Sequence, residues 1–291
     1  MYALNGTYTG EIMQKRISAW IWTLLFTGVL FVFLLPTPRG IFVRADNPYG
    51  WEKMGAYTTY YSKEERDRCQ NISIAASLID GVTLQAYGEF SFNATVGKRT
   101  EEAGFRQAKI IVNGEYVLGV GGGVCQVSTT LYNAALKSGL TVTEYHPHSL
   151  RVGYIAPSRD AMVSSSSDLK LYNPNAFPVF LSAKIVDGGI CVAFFGKNEG
   201  YRYEITTNIL AEIPPPAPIV KEGEKEEILR QEKGGIKSEA YLSCYKGESL
   251  LFKKRIRVDE YRPVQGIIGK KIAKETNKIP SNACLFCIKV I

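Results

Sequence analysis

Three consecutive glycines, Gly121-Gly122-Gly123, run straight into Val124-Cys125-Gln126-Val127-Ser128-Thr129-Thr130-Leu131, and no other stretch narrows the local fold so far. Glycine takes positive φ at little cost and lets a second backbone approach closely. Beyond the glycines, Val124, Val127, Leu131, Ala134 and Ala135 recur on one helical face, and Gly139 supplies a stop. The spacing predicts a helix over 124–137. Cys125 then falls in the first turn, where unpaired amide N–H groups and the positive helix end favour a thiolate. The same amides, near Gln126, suit a developing oxyanion. A phosphate cradle is excluded: no Gly-Lys-Ser/Thr closes the run, and no G-x-G-x-x-G opens a βαβ unit.

A lone cysteine after a glycine turn is by default a buried structural residue. The histidines weigh against that default. The chain has only two, in Glu144-Tyr145-His146-Pro147-His148-Ser149, and an i, i+2 pair on extended backbone shares one face. An imidazole titrating near neutrality takes a thiol proton and returns it to a leaving amine. Asp160 suits the third place in a Cys-His-Asp set, although turn chemistry in Pro157-Ser158-Arg159-Asp160 explains it equally. Arg159 suits a bidentate grip on a carboxylate, or is a plain surface charge. No carboxylate stands near the histidines at ligand spacing, so neither a metal nor another cofactor is expected.

Hydrophobic content of 45% and charged content of 22% fit a folded chain. The net charge of +7 fits an anionic neighbourhood, but no aromatic-basic stripe points to nucleic acid. Cys69, Cys125, Cys191, Cys244, Cys284 and Cys287 are too scattered for a disulfide framework, and Cys284-x-x-Cys287 lacks a second ligand pair. Residues 17–35 carry no charge, enough to cross a ~30 Å hydrocarbon layer as a helix. Lys15 and Arg16 before them favour a cytoplasmic start. The expectation is a single-pass membrane anchor, a cleaved signal being the alternative, with the main domain extracellular.

The expected order is a cytoplasmic 1–16, the anchor 17–35, a tether 36–56 and a catalytic domain 57–212. A Pro- and charge-rich linker at 213–240 and a C-terminal hairpin with basic tail at 241–291 follow. Within the domain, Ser62 caps a helix over 63–79, and Asn113-Gly114 joins a hairpin. Strands are expected at 141–145, 150–155, 168–173, 177–186, 190–196 and 201–208. The class is α+β, a mainly antiparallel sheet with few helices.

From about Tyr57 to about Gly196 the chain resembles the VanW-domain family. The resemblance rests on Asn71-Ile72, Gly88-Glu89-Phe90-Ser91-Phe92-Asn93, the block Gly121 to Ala135, His148-Ser149, Tyr154, Asp160-Ala161 and Asp168-Leu169-Lys170. It implies a peptidoglycan-acting enzyme of the cysteine L,D-transpeptidase kind. Cys125 would attack the third residue of a stem peptide, expel the terminal D-Ala, and pass the thioester to a neighbouring amine as a 3-3 cross-link. Cys125 and His148 map onto the family's cysteine and histidine. The residues expected around substrate are Gly122, Gly123, Gln126, Ser128, Thr129, His146, Ser149, Tyr154 and Arg159. Two departures stand out: Ala86-Tyr87-Gly88 where the family has Pro-Gly, and Ser158 where it has glycine before Arg-Asp-Ala. The rival readings are a cysteine carboxypeptidase, and a non-catalytic scaffold associated with glycopeptide resistance. In the scaffold, Lys253, Lys254, Arg255 and Arg257 would hold anionic wall polymer.

Overall fold

The computed structural model describes residues 50–112, 114–223 and 225–270. The apolar segment 17–35 and the Cys284/Cys287 pair lie outside these residues. Among the described residues no helix is long and apolar enough to cross a membrane.

Strands β1 (Glu52–Tyr60), β2 (Thr83–Leu84), β8 (Val179–Val186) and β9 (Gly189–Gly196) form an antiparallel sheet in the order β1-β9-β8-β2. A smaller antiparallel sheet orders β3 (Glu89–Ser91), β7 (Lys170–Tyr172) and β6 (Thr141–Glu144). The strands β4 (Gln107–Val112) and β5 (Glu115–Val120) pair as the expected hairpin, Val112 opposite Glu115. Helix α1 (Arg66–Ile79), the short α2 (Phe92–Val96) and α3 (Val124–Lys137) are the described helices. The class is therefore mostly antiparallel sheet with few helices.

Helix α3 keeps the bounds its apolar spacing predicts, and it is a core helix: twelve of its fourteen residues are buried. Val127, Leu131 and Ala135 share one apolar cluster with Ile72, Ile79, Leu181, Val192 and Phe194. A helix sealed on all sides must satisfy its polar side chains internally. Thr130 Oγ1 meets Thr59 Oγ1 at 2.7 Å, and Asn133 donates to the Thr129 and Arg159 carbonyls at 2.8 and 2.7 Å. Cys125 is an exception in this sealed helix, being only half-buried.

Several local expectations differ from the structure. The end of the tether is strand: β1 starts at Glu52 and pairs along β9. Gly55 allows this, because a Cβ there would meet the Lys137 carbonyl oxygen at 2.5 Å. Helix α1 begins at Arg66, not 63; Ser62 Oγ accepts from the Glu64 amide at 3.3 Å and closes a turn before it. Residues 150–155 are loop, although Leu150 and Val152 are buried, so apolar content here reflects burial without a ladder.

The segment 213–240 is mostly strand. Strands β10 (Tyr201–Ile213), β13 (Gly235–Lys246) and β14 (Ser249–Tyr261) form an antiparallel sheet, and β11 (Ile219–Glu222), β15 (Ile267–Lys270) and β12 (Glu227–Arg230) form another. Only 214–218, with its prolines, runs without strand between β10 and β11. Several of the charges that suggest a solvated linker, among them Lys221, Glu222, Glu227, Arg230, Lys237 and Glu239, lie on strands. Arg257, expected as a surface charge, is buried at 4% exposure and bonds Asp259 at 2.7 Å.

Candidate active site

The glycine turn is held by shape and by one asparagine. Gly121 and Gly123 have φ of +87° and +108°, a region costly for other residues. A Cβ on Gly122 would meet the Lys109 carbonyl oxygen at 2.7 Å. Asn71 Nδ2 donates to the Gly122 and Arg106 carbonyls, both at 2.9 Å, and its Oδ1 accepts from the Arg106 amide at 2.7 Å. Buried in α1, Asn71 therefore locks β4 to the turn. Cys125 follows, the second residue of α3.

The Cys125 sulfur lies between the backbone groups of Val163. It is 3.4 Å from the carbonyl, and the Val163 amide donates to it at 3.5 Å. His148 lies near enough to the same sulfur for each to shift the other's titration. Asp160 Oδ2 accepts from His148 twice, from Nδ1 at 2.6 Å and from the backbone amide at 2.7 Å. With Nδ1 occupied, Nε2 is left for the sulfur. The structure thus brings Cys125, His148 and Asp160 together, His148 bonded to Asp160 and within electrostatic reach of the sulfur.

The electrostatics favour the charged pair. Burial pushes the Cys125 thiol up. The His148 hydrogen bond and charge, the Val163 backbone and the Arg99 charge outweigh it, leaving the thiol below its ordinary range. Burial likewise disfavours the imidazolium, yet hydrogen bonds and charges from Asp160 and Cys125 push His148 up to about 9. Asp160 is held low: burial opposes its charge, but His148, Arg257 and Tyr261 overcome that. These two groups titrate as a pair. Alkylation of Cys125 by iodoacetamide should therefore reach its plateau below the ordinary thiol range. Acyl transfer should add a falling limb near pH 9 as His148 loses its proton. An alkylation profile with a midpoint at or above that of a free thiol would contradict the ion pair.

A cavity of about 1100 Å³ opens over the sulfur, lined by Cys125, His148, Gly122, Gly123, Tyr154 and two short segments from 97–100 and 162–165. Its charged lining is Arg68, Lys98, Arg99 and Lys109 against Glu65, so it is cationic. Arg99 Nη2 donates to Asn93 Oδ1 at 2.5 Å, and Nη1 to the Ser164 carbonyl at 3.4 Å. Among the described residues no carboxylate pairs with it. Arg68 donates to Gln126 Oε1 at 2.5 Å and lies 5.9 Å from the Tyr154 ring centroid. Neither arginine carries a local motif; each reaches the cavity only through tertiary folding.

Of the other residues expected around substrate, Gln126 also lines the cavity, whereas Ser128, Thr129, His146, Ser149 and Arg159 are not among its lining. Ser128 and Thr129 are buried: Ser128 Oγ donates to the Ala161 carbonyl at 2.6 Å, and Thr129 Oγ1 accepts from the Ala161 amide at 2.9 Å. They form a shelf under Asp160–Val163. The Gln126 side chain donates to Thr59 Oγ1 and the Tyr60 carbonyl, and its amide donates to the Gly123 carbonyl at 2.9 Å. That amide is already used, so it does not face an oxyanion. His146 turns to Glu144 at 3.0 Å, because Pro147 interrupts the extended backbone that a shared face requires. The Ser149 carbonyl accepts from the Arg262 amide at 2.8 Å. Arg159 lies over the Tyr57 ring, 4.8 Å from its centroid, with Nε on Asn133 Oδ1.

Residues 67–195 match the model of a family described as VanW like protein. The chain is 36% identical over 173 residues to the uncharacterized protein YoaR of Bacillus subtilis (strain 168), covering 59% of this chain and 55% of that protein. It thus spans about half the length of that relative. A solved structure titled HP0197-G5 aligns with 24% of this chain and 96% of its own, at 12% identity and a TM-score of 0.15. The glycine turn, Cys125, His148 and Asp160 all fall inside the span of residues 67–195 that matches the VanW like protein model.

Proposed function

We propose that the chain is a cysteine acyltransferase of the L,D-transpeptidase kind, acting on peptidoglycan stem peptides outside the membrane, with residues 17–35 as its anchor. The observation that carries this reading is a partly buried cysteine, close to a buried His–Asp pair, lining a large cationic cavity. The Cys125 thiolate attacks the carbonyl carbon of the third stem residue. The amide bond to the terminal D-alanine breaks, and its nitrogen takes the proton from the His148 imidazolium. The thioester is then opened by an amine, which returns a proton to His148 and forms the new amide. Asp160 keeps the ring oriented and charged. Arg99, which forms no ion pair among the described residues although Asp168 and the sulfur act on it electrostatically, suits the peptide's terminal carboxylate.

The test is mass spectrometry of the purified full chain incubated with a tetrapeptide stem. The expected product is a tripeptide acyl adduct on Cys125 with release of D-alanine. A C-terminally amidated peptide should react about tenfold more slowly, because it lacks the anion that Arg99 would hold. Tripeptide release without amine capture would instead make the protein a carboxypeptidase. No adduct, while Cys125 still alkylates readily, would overturn the acyltransferase reading.

A further inference from the structure

We propose that β13, β14 and the residues just after them complete the catalytic site, with Tyr261 and Arg257 acting as positioning residues for Asp160. These residues lie outside the span 67–195 that defines the family match. Oδ2 of Asp160 is taken by His148. Its Oδ1 accepts from the Tyr261 hydroxyl at 2.5 Å. Arg257 Nη1 donates to the Asp160 carbonyl at 2.7 Å, and Nη2 lies 3.6 Å from Oδ1. Every contact to the Asp160 carboxylate that does not come from His148 comes from β14.

The same strands pin the backbone before Asp160. Ser158 has φ of +57°, a left-handed conformation that is strained for a residue with a side chain. It is fully buried, its amide donates to the Tyr261 hydroxyl at 2.8 Å, and its Oγ meets Ser238 Oγ on β13 at 2.8 Å. The Tyr261 hydroxyl therefore accepts from the turn and donates to the carboxylate, fixing the two relative to each other. The Arg262 amide adds a further tie, to the Ser149 carbonyl beside His148. Arg257 is itself held by Asp259 and by the Tyr132 and Tyr145 rings, at 5.5 and 4.4 Å. An ordinary packing interface does not require its donors to converge on a single carboxylate.

Without the Tyr261 donor, the Asp160 anion is less favoured and its carboxylate is free to swing toward Arg257. In either case the imidazolium loses support, and the thiolate with it. The experiment is the pH dependence of Cys125 alkylation in the full chain, read by peptide mapping, for wild type and Tyr261→Phe. The acid limb should move up by about one pH unit, roughly a tenfold loss of alkylation rate on that limb. With the tetrapeptide, kcat should fall and KM should hold. Ser238→Ala, which removes only a hydroxyl from Ser158, should shift the limb less and in the same direction, and it serves if Tyr261→Phe does not fold. An unmoved limb in a folded variant, with only a lower Tm, would make these contacts structural and overturn the proposal. The proposal takes its Cys-His-Asp set from the acyltransferase reading, yet alkylation needs no peptide substrate. A shifted limb in a protein inert toward stem peptides would thus sink that reading alone.

Discussion

Cys125→Ala should lower acyl transfer by about 10⁴-fold or more while leaving the fold intact. The sulfur's contacts to Val163 are long, 3.4 and 3.5 Å, and His148 keeps its Asp160 partner without it, so losing it should cost less than about 1 kcal/mol of stability. The expected result is an unchanged unfolding transition, no adduct with the tetrapeptide, and loss of 3-3 cross-links from the muropeptides of cells that depend on the protein. Undiminished cross-links in such cells would remove the case for nucleophilic catalysis. They would favour the scaffold reading, in which the thiol is dispensable.

Asp160→Asn is the second large effect. The aspartate receives His148 Nδ1, the His148 amide and the Tyr261 hydroxyl, and an amide group cannot accept at all these positions. Asparagine keeps the shape but loses the charge that sustains the imidazolium. His148 should fall from about 9 toward the ordinary range near ~6.5, and Cys125 should rise with it. The ion pair is present above the thiol's depressed value and below that of His148. Raising one limit and lowering the other closes the window from both sides. A kcat loss of about 10⁴-fold per folded molecule is expected, with KM little changed. Full activity at neutral pH would show that His148 works without its carboxylate. Because Asp160 and Arg257 are both buried, the comparison needs the folded fraction from thermal unfolding.

What the sequence discloses depends on how local the cause is. The turn at 121–123 and helix α3 are legible to the residue, because positive φ, apolar spacing and a glycine stop all act within a few positions. The pairing of His148 with Asp160 is legible as chemistry, but its geometry is not. Which of two neighbouring histidines turns inward depends on Pro147 and on Glu144, which takes the other at 3.0 Å. Ser128 and Thr129 mislead for a related reason. They stand beside the nucleophile in sequence, but helix geometry carries them around to the shelf under Ala161. Arg99 is silent in sequence, since its meaning comes from Asn93 and the cavity. After 213 the β13–β14 hairpin is legible, but β11 and β12 are hidden by their own composition: lysines and glutamates on exposed faces look like solvated chain, and their ladder partner β15 lies far along the sequence.

The place of β14 in the chain has a consequence for timing. Tyr261 reaches Asp160 across 101 positions, so β14 is synthesised well after the residues it completes. Chains emerge from the ribosome N-terminal end first, and such distant pairings form late. A growing polypeptide would carry its nucleophile in a dormant state, and the thiol would sharpen only once β13 and β14 had zipped into place.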